Sequence, residues 1–238
     1  QLTLPNNSQV SCGSNGNPDD NQFLPNWPNQ AAINAADDSN TLAQQWQIGG
    51  NDPNDKIWFT FSATAPALTE GYSFDFAFFS SEWPTYVNTT FNDLFVAWVV
   101  TDSFTGNISV INNQPTTITA LHSHWSNVPV NQGSKTCANF GSAGPGFSCN
   151  EPQLAGTGYE THAATDWTPV NQNIESGTNL DIYFFVSDMG DSILASAVAL
   201  DNFRWRCMPC IDQDDPDYVQ ECLGEIQNPD CCGVILPQ

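Results

Sequence analysis

The sequence has almost no positive charge. Lys56, Lys135, Arg204 and Arg206 stand against 26 acidic residues, for a formal net charge of −22. Such a surface repels phosphate backbones, so nucleic acid is excluded as a partner. It also lacks the basic patch that draws a protein to an anionic membrane. Apolar runs fall far short of the ~18 residues a membrane helix needs. No leader, lipidation motif or anchor is visible, and the chain reads as a mature exported product with its leader removed. Histidine is scarce: His122 and His124 lie two apart in strand-like sequence and His162 lies elsewhere, so all three read as surface residues rather than metal ligands. Neither a Gly-x-Ser-x-Gly elbow nor a His-Glu-x-x-His helix occurs, and no enzyme is expected. Helical periodicity is nearly missing between residues 56 and 206, which argues against an α or α/β fold.

What is present is aromatic and aliphatic sequence in strand-like patterns. Hydrophobic residues make up 40% of the chain and aromatics 12%, enough for a core. Ile57, Phe59 and Phe61 alternate with Trp58, Thr60 and Ser62, and Phe74, Phe76 and Phe78 alternate with Ser73, Asp75 and Ala77. Period two marks half-buried strands. Phe91 to Val100 is almost continuously apolar, as in a central strand covered on both faces. Short strands follow at 107–111 and 116–121, separated by Asn112-Asn113-Gln114-Pro115, and long ones at 180–187 and 193–206. The fold class is therefore all-β, a β-sandwich or jelly roll over residues 1–206. Residues 1–55 are turn-rich, with a short strand expected near Gln45–Ile48. Residues 207–238 form a Cys-rich tail, where Asp215 and Pro216 start a short helix bearing Val219, Cys222, Leu223 and Ile226 on one face.

The cysteines are Cys12, Cys137, Cys149, Cys207, Cys210, Cys222, Cys231 and Cys232. An even count in an exported chain reads as disulfides. Cys137 and Cys149 enclose a Gly/Ser/Asn-rich loop and form the expected local pair, and Cys12 is expected to bridge to the tail. The rest of the connectivity stays open.

Two acidic segments sit at strand ends. One is Phe78-Phe79-Ser80-Ser81-Glu82-Trp83-Pro84 followed by Phe91-Asn92-Asp93-Leu94-Phe95; the other is Ser187-Asp188-Met189-Gly190-Asp191-Ser192, running on to Leu200-Asp201-Asn202-Phe203. By alternation Asn202 shares the core face with Val198 and Leu200, where a buried amide needs a hydrogen bond or a metal. Glycine lets the Asp188–Asp191 turn converge its oxygens. If the segments meet, Glu82, Asp93, Asp188, Asp191, Asp201 and Asn202 supply the hard oxygen ligands that Ca²⁺ prefers.

These motifs resemble the bacterial choice-of-anchor L domain family. Its members carry a Phe-Phe-Ser-Glu-Glu-Tyr-Pro-like strand end, then Phe-Asn-Asp, an Asp-x-Gly-Asp turn and a closing strand. Ser81 here replaces the usual first glutamate. Gly156-Thr157-Gly158-Tyr159-Glu160 and Ala164-Thr165-Asp166-Trp167 resemble the myxobacterial branch. The resemblance spans roughly residues 56–206 and implies an exported, surface-associated domain. The expected function is a calcium-assisted structural or adhesive surface protein, associating with itself in a fibre or matrix. The competing expectation is a lectin-like module that binds surface glycans by stacking Trp83, Trp125 and Trp167 on sugar rings.

Overall fold

The computed structural model describes residues 9–15, 37–42, 53–125 and 159–207, apart from Pro84, Glu160, Thr161, Asp166 and Ser192. In chain order the elements are β1 (Gln9–Asn15), β2 (Pro53–Thr64), β3 (Thr69–Ser80), β4 (Leu94–Val100), β5 (Thr105–Asn107), β6 (Val110–Ile111), β7 (Gln114–Pro115), α1 (Ile118–Trp125), β8 (Ala163–Ala164), β9 (Thr168–Asn173), β10 (Asn179–Met189) and β11 (Ser196–Cys207). All pairings among the described residues are antiparallel. One sheet has the order β1-β2-β10-β4-β5 and the other β11-β3-β8, with β9 also on β3; β6 and β7 form a separate hairpin. The all-β expectation holds. The strand expected near Gln45–Ile48, the tail helix and the cysteine bridges fall outside the described residues, although Cys12 is placed in β1 opposite Phe59 and Cys207 ends β11.

The aromatic alternation builds the core. Phe61, Phe74, Phe76, Phe78, Phe95 and Phe184 belong to one buried cluster. Contacts within it join the two sheets: Phe61 meets Phe203 edge-on at 5.2 Å, Phe74 meets Phe184 edge-on at 5.1 Å, and Phe76 meets Phe95 at 5.1 Å. Such pairs add about 0.5–1.5 kcal/mol each beyond area burial. Strand β4 is covered on both faces, as its apolar run requires. Phe95, Ala97 and Val99 enter the main core, while Leu94, Val96 and Trp98 pack with Phe185, Met189 and Leu42 in a second cluster.

The segment carrying Leu42 is held by Asp37. The Asp37 Oδ1 accepts from the backbone N–H of Ser39 (3.1 Å) and Asn107 (3.2 Å), and Oδ2 from those of Thr41 and Leu42 (3.1 Å each). Gly106 lets the two segments close up, since a Cβ there would lie 2.8 Å from Asp37 Oδ1.

Two local expectations are corrected. The stretch 116–121 is not a strand, because helix α1 begins at Ile118. Its β-branched residues favour a strand locally, but its first N–H groups are capped. Ala120 N–H donates to Thr117 Oγ1 (3.1 Å), Thr119 N–H to Asn92 Oδ1 (2.9 Å) and Ile118 N–H to the Asp93 carbonyl (3.2 Å). Capping satisfies donors that a helix start otherwise leaves open. Ile118, Leu121 and His122 then share the buried face, so His122 is not a surface histidine.

The second correction concerns β11. Its register against β3 shifts between Asp201 and Arg204, and Asn202 adopts φ +59°. This bulge reverses the alternation. Val198 and Leu200 pack on the core before it, and Phe203 and Trp205 after it. Asn202 is thrown outward, exposed, with its amide donating to Asp75 Oδ2 at 2.9 Å.

Candidate functional site

One end of the two sheets collects acidic side chains from four segments. Glu82 follows β3, Asp93 precedes β4, Asp188 lies near the end of β10, and Asp191 lies beyond the turn at Gly190. Each of Glu82, Asp188 and Asp191 offers an oxygen within 4.8 Å of the others. Glu82 and Asp188 are buried, at 1% and 8% exposure, and Asp191 is half-buried.

The backbone brings these groups together in three ways. A register shift in β10 between Val186 and Asp188 re-aims the end of that strand. Gly190 has φ +88°, and a Cβ there would sit 2.8 Å from the Thr90 carbonyl oxygen. Only glycine combines that conformation with that approach, so the Asp188–Asp191 turn seats directly on the segment leading into Asn92 and Asp93. Ser81, where the related motif has a glutamate, joins the 195 region instead. Its N–H (3.0 Å) and Oγ (2.9 Å) both donate to the Ala195 carbonyl.

Asp93 is wholly buried and is the organiser. Its Oδ1 accepts from the Met189 N–H at 3.0 Å and its Oδ2 from the Ser196 hydroxyl at 2.6 Å. These bonds tie the entry of β4 to the end of β10 and the start of β11. Burial raises the Asp93 carboxyl to about 6, although the Ser196 and Met189 donors pull it down. Asp188 is raised to about 9, by burial first and by the charge of Asp93 second. The pair therefore retains a proton where isolated aspartates are ionised. Asp188 Oδ1 is buried and accepts no hydrogen bond. Residue Asp188 lines a small cleft of about 210 Å³ together with Ile57, Val186, Ile193, Leu194 and Ala195.

Four of the six residues expected at the site thus come together: Glu82, Asp93, Asp188 and Asp191. Asp201 and Asn202 do not. They pair with the middle of β3 at Asp75, while Ser196, five residues earlier, is bonded to Asp93. Five strand residues span roughly 17 Å. Sequence reasoning missed Ser196 and the Met189 N–H, because nothing local marks a hydroxyl or an amide that bonds a residue about a hundred positions away.

The tryptophans divide differently. Trp83 is fully buried, with its indole N–H donating to His122 Nδ1 at 3.2 Å, so it offers no face to a sugar. Trp167 is 55% exposed, and the Trp125 side chain lies outside the described residues.

The fold and this site define an antiparallel all-β domain with an acidic cluster at one rim of its sheets. The chain belongs to the choice-of-anchor L domain family, which it matches over residues 6–203. The match begins well before residue 56, so the turn-rich N-terminal segment is part of the family domain rather than outside it. Membership places the protein among exported, surface-associated domains. Among the described residues no helix is long and apolar enough to cross a membrane. No curated protein and no solved structure matches the chain.

Proposed function

We propose that this domain is a non-enzymatic, adhesive or structural β-sandwich module of the cell exterior, whose strand ends are locked by calcium. One observation carries the reading: Glu82, Asp188 and Asp191 converge within 4.8 Å, and Asp188 Oδ1 is buried without a hydrogen-bond partner. A buried carboxylate oxygen left unsatisfied costs several kcal/mol unless it is protonated or bound to a cation. Calcium takes about six to eight oxygens at ~2.3–2.6 Å and tolerates irregular geometry. Glu82, Asp188 and Asp191 would be its ligands. Asp93, with both oxygens already accepting hydrogen bonds, would position the β10 turn. The ion would replace the retained proton and join the ends of β3 and β10, beside the Asp93 bonds that tie β4 to β10 and β11.

The lectin reading through Trp83 is weakened because that ring is buried. Self-assembly into a fibre fits an exported module, and light scattering of concentrated protein with calcium is its check: a monomer under those conditions rules it out.

Calorimetric titration of chelator-treated protein with Ca²⁺ tests the site. One saturable equivalent is expected, with the thermal midpoint rising as ligand is added; occupancy at 100 times Kd contributes about 2.7 kcal/mol. Asp188→Asn and Glu82→Gln should each remove the response. Absence of heat, together with an unchanged midpoint in chelator, rules the calcium reading out.

A further inference from the structure

The opposite end of the two sheets holds a larger opening. A cleft of about 990 Å³ lies between the start of β3, the turn after β4 and the segment joining β9 to β10. Its floor includes Tyr72, buried at 2% exposure with its ring stacked on Phe203 at 5.8 Å, and the half-buried Phe104 ring stands at its side. Three exposed carboxylates, Glu70, Asp102 and Glu175, line it, and among the described residues no lysine or arginine does.

Two features mark this as a built site rather than a surface fold. First, its walls are preorganised. In the turn after β4, Thr101 Oγ1 accepts from the Phe104 N–H (3.0 Å) and donates to the Phe104 carbonyl (3.1 Å). On the far side Arg206 Nη2 donates to the Gln172 carbonyl (3.2 Å) and to Asn173 Oδ1 (2.7 Å), crossing over Gly71, where any Cβ would collide with the guanidinium. Second, Thr69 lines the cleft at 1% exposure and its hydroxyl has no hydrogen-bond partner. Buried hydroxyls are nearly always satisfied, so one that is not points to a ligand group or a water.

We propose that this cleft binds a neutral oligosaccharide. Carboxylates, amides and a free hydroxyl are the groups that grip sugar hydroxyls, the half-buried Phe104 ring offers an apolar face, and the volume matches that of small-ligand sites generally, about 300–1,000 Å³. The carboxylate rim and the net charge of −22 repel uronate and sulfated glycans. The site lies at the other end of β3 from the calcium cluster, roughly 35 Å away along the strand, and does not depend on it.

Affinity electrophoresis of the full chain through gels containing galactomannan, mixed-linkage β-glucan or soluble starch, with alginate as the acidic control, tests this. Retardation is expected by at least one neutral polymer and not by alginate. Thr69→Val should weaken binding about three- to tenfold without lowering the thermal midpoint, because it removes a hydroxyl that bonds nothing in the protein. Asp102→Asn combined with Glu175→Gln, both exposed, should weaken it more than tenfold. Chelator should leave binding unchanged. The proposal is overturned if no neutral polymer retards the protein, if alginate does so instead, or if these variants bind like the unmodified chain. Loss of binding in chelator also overturns it, by moving the sugar to the calcium end.

Discussion

Asp37 shows how much one carboxylate can hold. Four backbone N–H groups from Ser39, Thr41, Leu42 and Asn107 converge on it and pin an N-terminal loop against β5, placing Leu42 over the second face of β4. Hydrogen bonds to a charged acceptor contribute about 1.5–3 kcal/mol where truncation leaves buried donors open. Asp37→Ala is therefore expected to cost about 2–3 kcal/mol in urea unfolding, with Asp37→Asn intermediate, since an amide keeps one acceptor of the two. Gly190→Ala has a separate cause. It combines strain at φ +88° with a 2.8 Å approach to the Thr90 carbonyl, and should cost about 1–3 kcal/mol while weakening calcium binding. That Glu82, Asp93, Asp188 and Asp191 lie close together was legible in the sequence, because they fall at strand ends and Gly190 lets the turn bend back. Asn202 was misread for a physical reason. Strict alternation puts it inward, and a left-handed residue in a bulge cannot be seen in a pattern of period two.

Among the elements, the strands declared themselves and the helix did not. Phenylalanines at every second position in β3, and the unbroken apolar run of β4, leave little choice of structure. The separator expected at Asn112-Asn113-Gln114-Pro115 was half right: Asn112 and Asn113 make the turn, both with positive φ as a two-residue hairpin of this hand requires, while Gln114–Pro115 is strand β7. Helix α1 was hidden because its start depends on Asn92 and Asp93, which lie about 25 residues upstream and cannot be read locally. Thr117 is the local part of that cap. Thr117→Ala should lower stability by about 0.5–2 kcal/mol, as lost N-caps do, and Thr117→Ser should restore most of it. Near-ultraviolet circular dichroism offers a second readout, because loosening α1 disturbs the Trp83–His122 contact that ends on its buried face. If Thr117→Ala leaves both the midpoint and the tryptophan signal unchanged, the cap is not what starts the helix.

For the whole molecule, the balance of protons on the acidic rim makes an unusual demand. Carboxylates in most proteins are held below their ordinary range, so stability is lost as acid is added. Asp93 and Asp188 are held above it, at about 6 and about 9, against about 3.9 for an unfolded aspartate. From pH ~4 upward the folded chain therefore keeps protons that the unfolded chain has released. The contribution of this pair to stability is complete below pH ~4 and declines as the pH climbs toward 9. The general repulsion of a chain at −22 acts in the same direction. In chelator the thermal midpoint should fall between pH 5 and pH 8, each kcal/mol lost moving it by roughly 2–4 °C for a chain of this size. Millimolar calcium should flatten that fall and act most strongly at pH 8, where it has fewest protons to displace. Asp188→Asn separates the two effects. The amide mimics the protonated acid, so the variant should show a shallower pH slope in chelator and no gain from calcium. A midpoint that rises from pH 5 to pH 8 in chelator would mean that Asp93 and Asp188 are ionised in the fold, and that a different charge balance holds the strand ends together.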